Sequence, residues 1–468
     1  MVNMIMSGDR IYTPSLYFYR FELKNEGKPL ETQQIYQHGE KLLNQFKSPP
    51  QTPQNNSETT QENPNIMRFF YEMTPQKSPS RFAHKIKIRE KDYPVWGYAN
   101  YQEIERGYGL WFNLHIPERE AGSGKLLEVP LEIFRYFSQT YPLIIDNKNK
   151  NYTNNNENFI GQTLLVTSLL TPEQRLKAKT DRKYLKSLSD RILSELLNAT
   201  EMKPLFKGED TLLGSPVFAY SLVSSKVATL QPATLQPATI DPATRSPAVV
   251  PHVLIWFLLE REAEQVYQNY QEDFFQLFYC SHQVVAAWVE SAPLHDLLSQ
   301  IYSDIQYQFK QVDKFSAGGV SVQVLEFLRG QLRDFSKLAL EYSELMRKLE
   351  VLQETITFSC DRYQQILQRI IAEVKDEASV SFLGRLIQED AKICQKKIQG
   401  YISEFRTGQF LLEQANYAVR SLIDLAVVNC QKRLDIQSFF AGVFAGFFLT
   451  LLLSIGAFLI VSRYLGKF

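Results

Sequence analysis

Between Asp435 and Arg463 the chain carries IQSFFAGVFAGFFLTLLLSIGAFLIVS, a run without a single charged residue. A helix needs about 20 apolar residues to cross a bilayer, so Ile436–Ser462 is long enough for one crossing and too short for two. A buried core helix rarely keeps so long an uninterrupted apolar run. Residues 436–462 are therefore predicted to form one transmembrane helix, followed by a tail at 463–468. The remainder of the chain hangs from that anchor. The N-terminal stretch MVNMIMSGDRIYTPS has no basic region followed by an apolar one, so no export signal is read there. The expectation is a single-pass C-terminal anchor with the N-terminal bulk in the cytosol. Lys432 and Arg433 before the run are balanced by Arg463 and Lys467 after it, which leaves the positive-inside rule little to decide with.

Upstream, hydropathy changes character at Leu259. Residues 1–259 mix strand-like and helix-like runs. Alternating aromatic and apolar positions predict strands at Ser15–Leu23, Met67–Met73, Phe82–Arg89, Val95–Tyr101, Tyr108–Ile116, Phe159–Leu169, Pro216–Val223 and Val253–Leu259. The short spacers among the early ones favour an antiparallel meander, and the last is apolar enough to lie mid-sheet. Helices are predicted at Leu30–Phe46, Pro130–Tyr141 and Tyr184–Leu197, and Thr171-Pro172-Glu173 is a good helix start. Three polar or proline-rich stretches interrupt the pattern and read as disordered loops: 47–65, 146–158 and 226–250. The last holds the tandem repeat ATLQP-ATLQP-ATIDP-ATRSP, whose regular prolines block helix and sheet alike.

Residues 260–435 read as a helical stalk, with breaks expected at Pro293, Gly318-Gly319 and near Ser379. One heptad carries Leu325, Leu332, Ala339, Met346, Gln353, Cys360 and Leu367 at a, with Leu328, Phe335, Tyr342, Leu349, Ile356, Tyr363 and Ile370 at d. A helix that long spans about 70 Å. A second runs through Ile387, Cys394, Tyr401, Gly408, Ala415 and Leu422, interleaved with Ala391, Ile398, Phe405, Leu412, Val419 and Ala426. It leads on toward Asp435. The fold class is thus α+β: a mixed or antiparallel sheet in a head domain, a long coiled-coil stalk, and one C-terminal transmembrane helix. Leu332, Phe335, Tyr342 and Leu349 are the candidate stalk core.

Little chemistry shows in the sequence. The fragment GSGK at Gly122–Lys125 fails as a phosphate loop, because Arg119 stands where the first glycine is needed and Leu126 where Ser or Thr should follow. A turn is the better reading. Cys280 and His282, two apart on a helix, do not face each other. His295-Asp296 reads as a helix-start feature rather than an acid–base dyad. The other histidines, and the cysteines Cys280, Cys360, Cys394 and Cys430, lack metal-ligand spacing. The basic run HKIKIREK, His84–Lys91, fits a lysine-guarded sheet edge better than a ligand face. Formal net charge is zero, so no global field points to nucleic acid. No catalytic, cofactor-binding or metal residues, and no cofactor, are assigned; an enzyme is not expected. Within the span, Gly442 and Gly446 form GxxxG, and Thr450 and Ser454 extend that small-residue stripe. These four are the candidate packing residues for self-association.

The head–stalk–membrane layout resembles that of CorA-type magnesium channels, pentamers whose stalk helices continue into the pore. The likeness is one of layout: CorA proteins have two spans joined by a Gly-Met-Asn signature, and this chain has one span and no such motif. Locally, LLGSPVFAYSL, HVLIWFL, LEVLQETITFSCDRYQQIL and CQKRLDIQ resemble an uncharacterised group of cyanobacterial membrane-associated proteins. That likeness implies a bacterial inner or thylakoid membrane and brings no activity or site residues. The expected partners are the bilayer, further copies of the chain, and an unknown cytosolic ligand or protein. The expected function is a non-enzymatic, membrane-anchored homo-oligomeric sensor or effector that forms a pore or perturbs the membrane. The alternative is a monomeric or dimeric tether for a cytosolic partner.

Overall fold

A computed structural model describes residues 10–24, 35, 80–104, 107–120, 122–140, 159–198, 202–224, 252–315, 322–374 and 380–465. Its strands are β1 (Arg10–Leu23), β2 (Ser80–Ile88), β3 (Lys91–Ile104), β4 (Gly107–His115), β5 (Val129–Pro130), β6 (Phe159–Leu169), β7 (Met202–Leu212), β8 (Ser215–Ser224) and β9 (His252–Leu258). Helices α1 (Ile133–Thr140), α2 (Pro172–Thr180) and α3 (Arg182–Leu197) are interspersed among them. The later helices are α4 (Arg261–Asn269), α5 (Gln271–Phe315), α6 (Val322–Val374) and α7 (Ser381–Leu465). An N-terminal mixed sheet followed by long helices, with one apolar C-terminal helix, is the architecture the hydropathy pattern predicts.

Among the described residues the strands form a nine-stranded sheet in the order β2-β3-β4-β1-β6-β9-β8-β7, with β5 pairing β1. The predicted meander is present, since β2, β3 and β4 pair antiparallel in succession. The parallel pair β6–β9 makes the sheet mixed. Period-2 alternation assigns each side chain to a face. On one face Phe18, Phe112, Leu164, Val166, Ile255 and Phe257 join Phe134 and Phe137 of α1 and Leu188, Ile192 and Leu196 of α3 in a single apolar core. On the other, Tyr19, Phe21 and Trp111 meet Phe275 and Phe278 of α5. Both faces of β1, β6 and β9 are covered, which is why these strands read as continuous apolar or aromatic runs. The edge strand β2 instead alternates, with Ile86 and Ile88 inward and Lys85 and Lys87 outward. Its edge position fits the lysine-guarded reading of HKIKIREK.

Thr171 caps α2 in a full capping box with Gln174, and Pro172 occupies the first turn. GSGK is a turn: the Glu120 N–H donates to the Lys125 carbonyl at 2.9 Å, and Gly122 and Gly124 sit at φ 87° and 64°. Three features depart from expectation. The short strand β5 takes up Pro130, where the helix Pro130–Tyr141 is predicted to begin, and that helix starts at Ile133. Strand β7 has no counterpart in the predicted strands; MKPLFKGEDTL lies at the outer edge, where Pro204 and a polar, half-exposed pattern are tolerated. Pro293, expected to break a helix, instead lies inside α5. A proline there loses one backbone bond, at a cost of about 3 kcal/mol, and burial of Val289 and Leu298 on either side offsets it. Gly318-Gly319 and Ser379 lie outside the described residues, as do the strand predicted at Met67–Met73 and all three predicted loops; of Leu30–Phe46 only Ile35 is described, and it is helical.

Packing divides the chain into two compact units, Met1–Glu290 with Gln353–Lys396, and Ser291–Leu352 with Lys397–Phe468. In the first, the Ser359 hydroxyl donates to Gln283 Oε1 at 2.9 Å and Arg369 pairs with Asp273, so α6 runs antiparallel to α5. In the second, the Tyr342 hydroxyl donates to the Phe405 carbonyl at 2.7 Å. Gly408 lies against the rings of Tyr342 and Tyr302, so close that even a methyl group would collide with both. The d residues of α6 are all buried, whereas Leu325, Leu332 and Ala339 at a are only half-buried. Leu345, Leu352, Ser359 and Ile366 are buried beside them. That apolar stripe is wider than a two-helix seam, as a helix with more than one neighbour requires.

Candidate functional site

The last part of α7 is the outstanding surface. Within Ala391–Ala457 an 18-residue window reaches a mean hydropathy of 2.2, and none of it is buried. Phe439, Phe440, Phe444, Phe447 and Phe448 are each more than half exposed, as are Leu449, Leu452 and Leu453. A contiguous apolar cylinder of this kind is long and apolar enough to cross a membrane. Its polar groups are satisfied locally. Thr450 Oγ1 donates to the Gly446 carbonyl and Ser454 Oγ to the Thr450 carbonyl, both at 2.7 Å. Such internal pairing is what a hydrocarbon environment demands. Gly442, Gly446, Thr450 and Ser454 follow one another at four-residue intervals along this exposed segment. Nothing lies within 4 Å of a Cβ built on either glycine. The proposed stalk-core residues behave differently: Phe335, Tyr342 and Leu349 are fully buried and Leu332 half-buried.

The head holds several buried polar groups. His282 of α5 is 1 % exposed, its Nε2 lies 2.8 Å from Thr163 Oγ1, and its ring fills the space above Gly161. His252 stacks on it at a centroid distance of 5.1 Å. Burial pushes the His252 imidazole down to about 4 and that of His282 well below its usual range, so both are neutral at pH 7. An imidazole this deeply enclosed is a packing element. Cys280 is buried too and lies near Tyr363; two residues from His282 on α5, it is not on the same helix face. The Tyr19 and Tyr267 hydroxyls share a short hydrogen bond within the aromatic layer, and burial pushes both phenols up. On the opposite sheet face Arg20 donates Nε and Nη2 to Glu22 Oε1, at 2.9 and 2.7 Å, with both residues almost wholly buried. Among the described residues no group of three or more His, Cys, Asp or Glu is placed to hold a metal ion.

Sequence reasoning missed the close-approach glycines Gly109 and Gly161. A Cβ on Gly109 would run into the Phe275 ring, and one on Gly161 into the His282 ring. Glycine inside an otherwise aromatic strand was the available signal. Gly109→Ala is expected to destabilise the head by about 1–3 kcal/mol through overpacking, read as a lower urea midpoint. Gly330→Ala, with open space around it, serves as the control and is expected to be neutral or stabilising.

No family model, curated protein or solved structure matches this chain. What the protein does must be read from its own geometry.

Proposed function

We propose that the protein is a non-enzymatic membrane anchor-and-sensor that self-associates through its C-terminal helix. The observation that carries this reading is the fully exposed apolar segment of α7, which water would not tolerate and a bilayer covers. The open glycine stripe supports association, because small residues let membrane helices approach closely. In this reading the bulk of the chain lies in the cytosol of a bacterial inner or thylakoid membrane system, where the head receives a ligand or protein. The unbroken α7 runs from the stalk heptads into the bilayer. In its strongest form the bundled spans open a pore or perturb the membrane, as the CorA-like layout suggests.

A second reading, a monomeric or dimeric tether for a cytosolic partner, is favoured by one observation. The d residues of both heptads, on α6 and α7, are buried within the single chain, without help from another copy. The molar mass of the full-length protein in detergent separates the two. An oligomer that Gly446→Leu shifts to smaller species, with unchanged circular dichroism, supports the first. A monomer or dimer indifferent to that substitution supports the tether and leaves the glycine stripe without a role.

A further inference from the structure

In the second unit, α5 and α6 border an open cleft of about 420 Å³, within the range usual for small-molecule sites. Asp304, Tyr307, Gln308 and Gln311 of α5 line it, with Phe327 and Gln331 of α6. This composition is selective. It offers one carboxylate, three amides and two aromatic rings, and no cationic side chain among the described lining residues. The Oε1 atoms of Gln308 and Gln331 are buried without a hydrogen-bond partner. A buried acceptor left unmet is unfavourable, so both amides gain from a ligand that brings N–H donors. Tyr307 is 65 % exposed, an aromatic ring that lines the cleft without being buried in a core. Aromatic faces beside a carboxylate attract organic cations through the ring quadrupole and charge together.

We infer that this cleft binds a small organic cation, an ammonium or guanidinium group on a short carbon chain. The Asp304 carboxylate supplies the counter-charge. Gln308 and Gln331 turn their amide oxygens to its N–H groups, and Tyr307 and Phe327 cover its carbons. The site goes beyond the membrane-anchor reading and does not depend on it.

Agmatine tests the inference, with 1,4-butanediol as the uncharged probe of the same carbon length. Calorimetric titration into the full-length protein in detergent is expected to show saturable 1:1 binding of agmatine, tighter than about 1 mM, and none of the diol. Asp304 is exposed, so Asp304→Asn is expected to keep the melting temperature while weakening agmatine at least about tenfold. Gln331→Leu is expected to weaken it about threefold or more. Absence of saturable agmatine binding, equal binding of the diol, or an Asp304→Asn variant that binds agmatine as tightly as the parent would each overturn the assignment.

Discussion

Glu22→Ala is expected to destabilise the head by about 3–5 kcal/mol, the usual cost of leaving one member of a buried ion pair alone. Arg20 and Glu22 are two apart on β1 and therefore share a sheet face, where both are about 3 % exposed. Arginine cannot shed its proton, so the guanidinium that loses Glu22 stays charged in a low-dielectric layer, over the Phe159 ring. A loss that large is a sizeable part of a domain's whole stability. The double variant Arg20→Met, Glu22→Leu separates charge burial from packing. It is expected to recover most of the loss, because a buried pair can be exchanged for apolar side chains at little net cost. Urea midpoints of the three proteins decide the matter. A single variant as stable as the parent would show that Arg20 is solvated, and a double variant as unstable as the single one would make the loss steric.

Acid should loosen the same domain well before its surface carboxylates protonate. His115 and His252 are held down to about 4 by burial, and His282 lies lower still. Their unfolded-state value is about 6.5, so between pH 6.5 and 4 the unfolded chain binds protons that the folded chain refuses. Stability is then complete above pH 6.5 and falls as pH drops through that window. A tenfold difference in proton affinity between the two states corresponds to about 1.4 kcal/mol, and partial exposure of His115 and His252 trims their shares to about 2 kcal/mol each by pH 4. The two stacked rings oppose one another's charging, so the pair acts in the same direction. The expected result is a urea midpoint that drops steeply from pH 7 to 4.5. His252→Asn is expected to flatten that slope, since its amide does not titrate. A midpoint that is level across the window, or a slope unchanged in His252→Asn, would place these histidines in solvated positions.

Much of this protein was legible in its sequence, because the forces that dominate are local and periodic. An uncharged run of bilayer length reads as one apolar helix, which the structure leaves exposed, and β1, β6 and β9 announce burial on both faces through unbroken apolar or aromatic runs. The capping box at Thr171 and the glycine turn at Gly122–Gly124 follow from backbone chemistry within a few residues. What the sequence could not decide depends on partners far away in the chain. An edge strand as polar as β7 carries no apolar period, because half of it faces water. Pro293 stays helical only because tertiary burial outweighs the bond it forfeits. Which face of α6 is buried depends on how many helices surround it, and a heptad written for one neighbour understates it. The cleft at Gln308 and Gln331 could not be read from sequence at all, since its lining residues come from two different helices. Local rules determined the elements, the apolar C-terminal helix and the pairing of Arg20 with Glu22; long-range packing decided the sheet order, the close-approach glycines and the burial of that ion pair, because only the folded chain brings the covering atoms within reach.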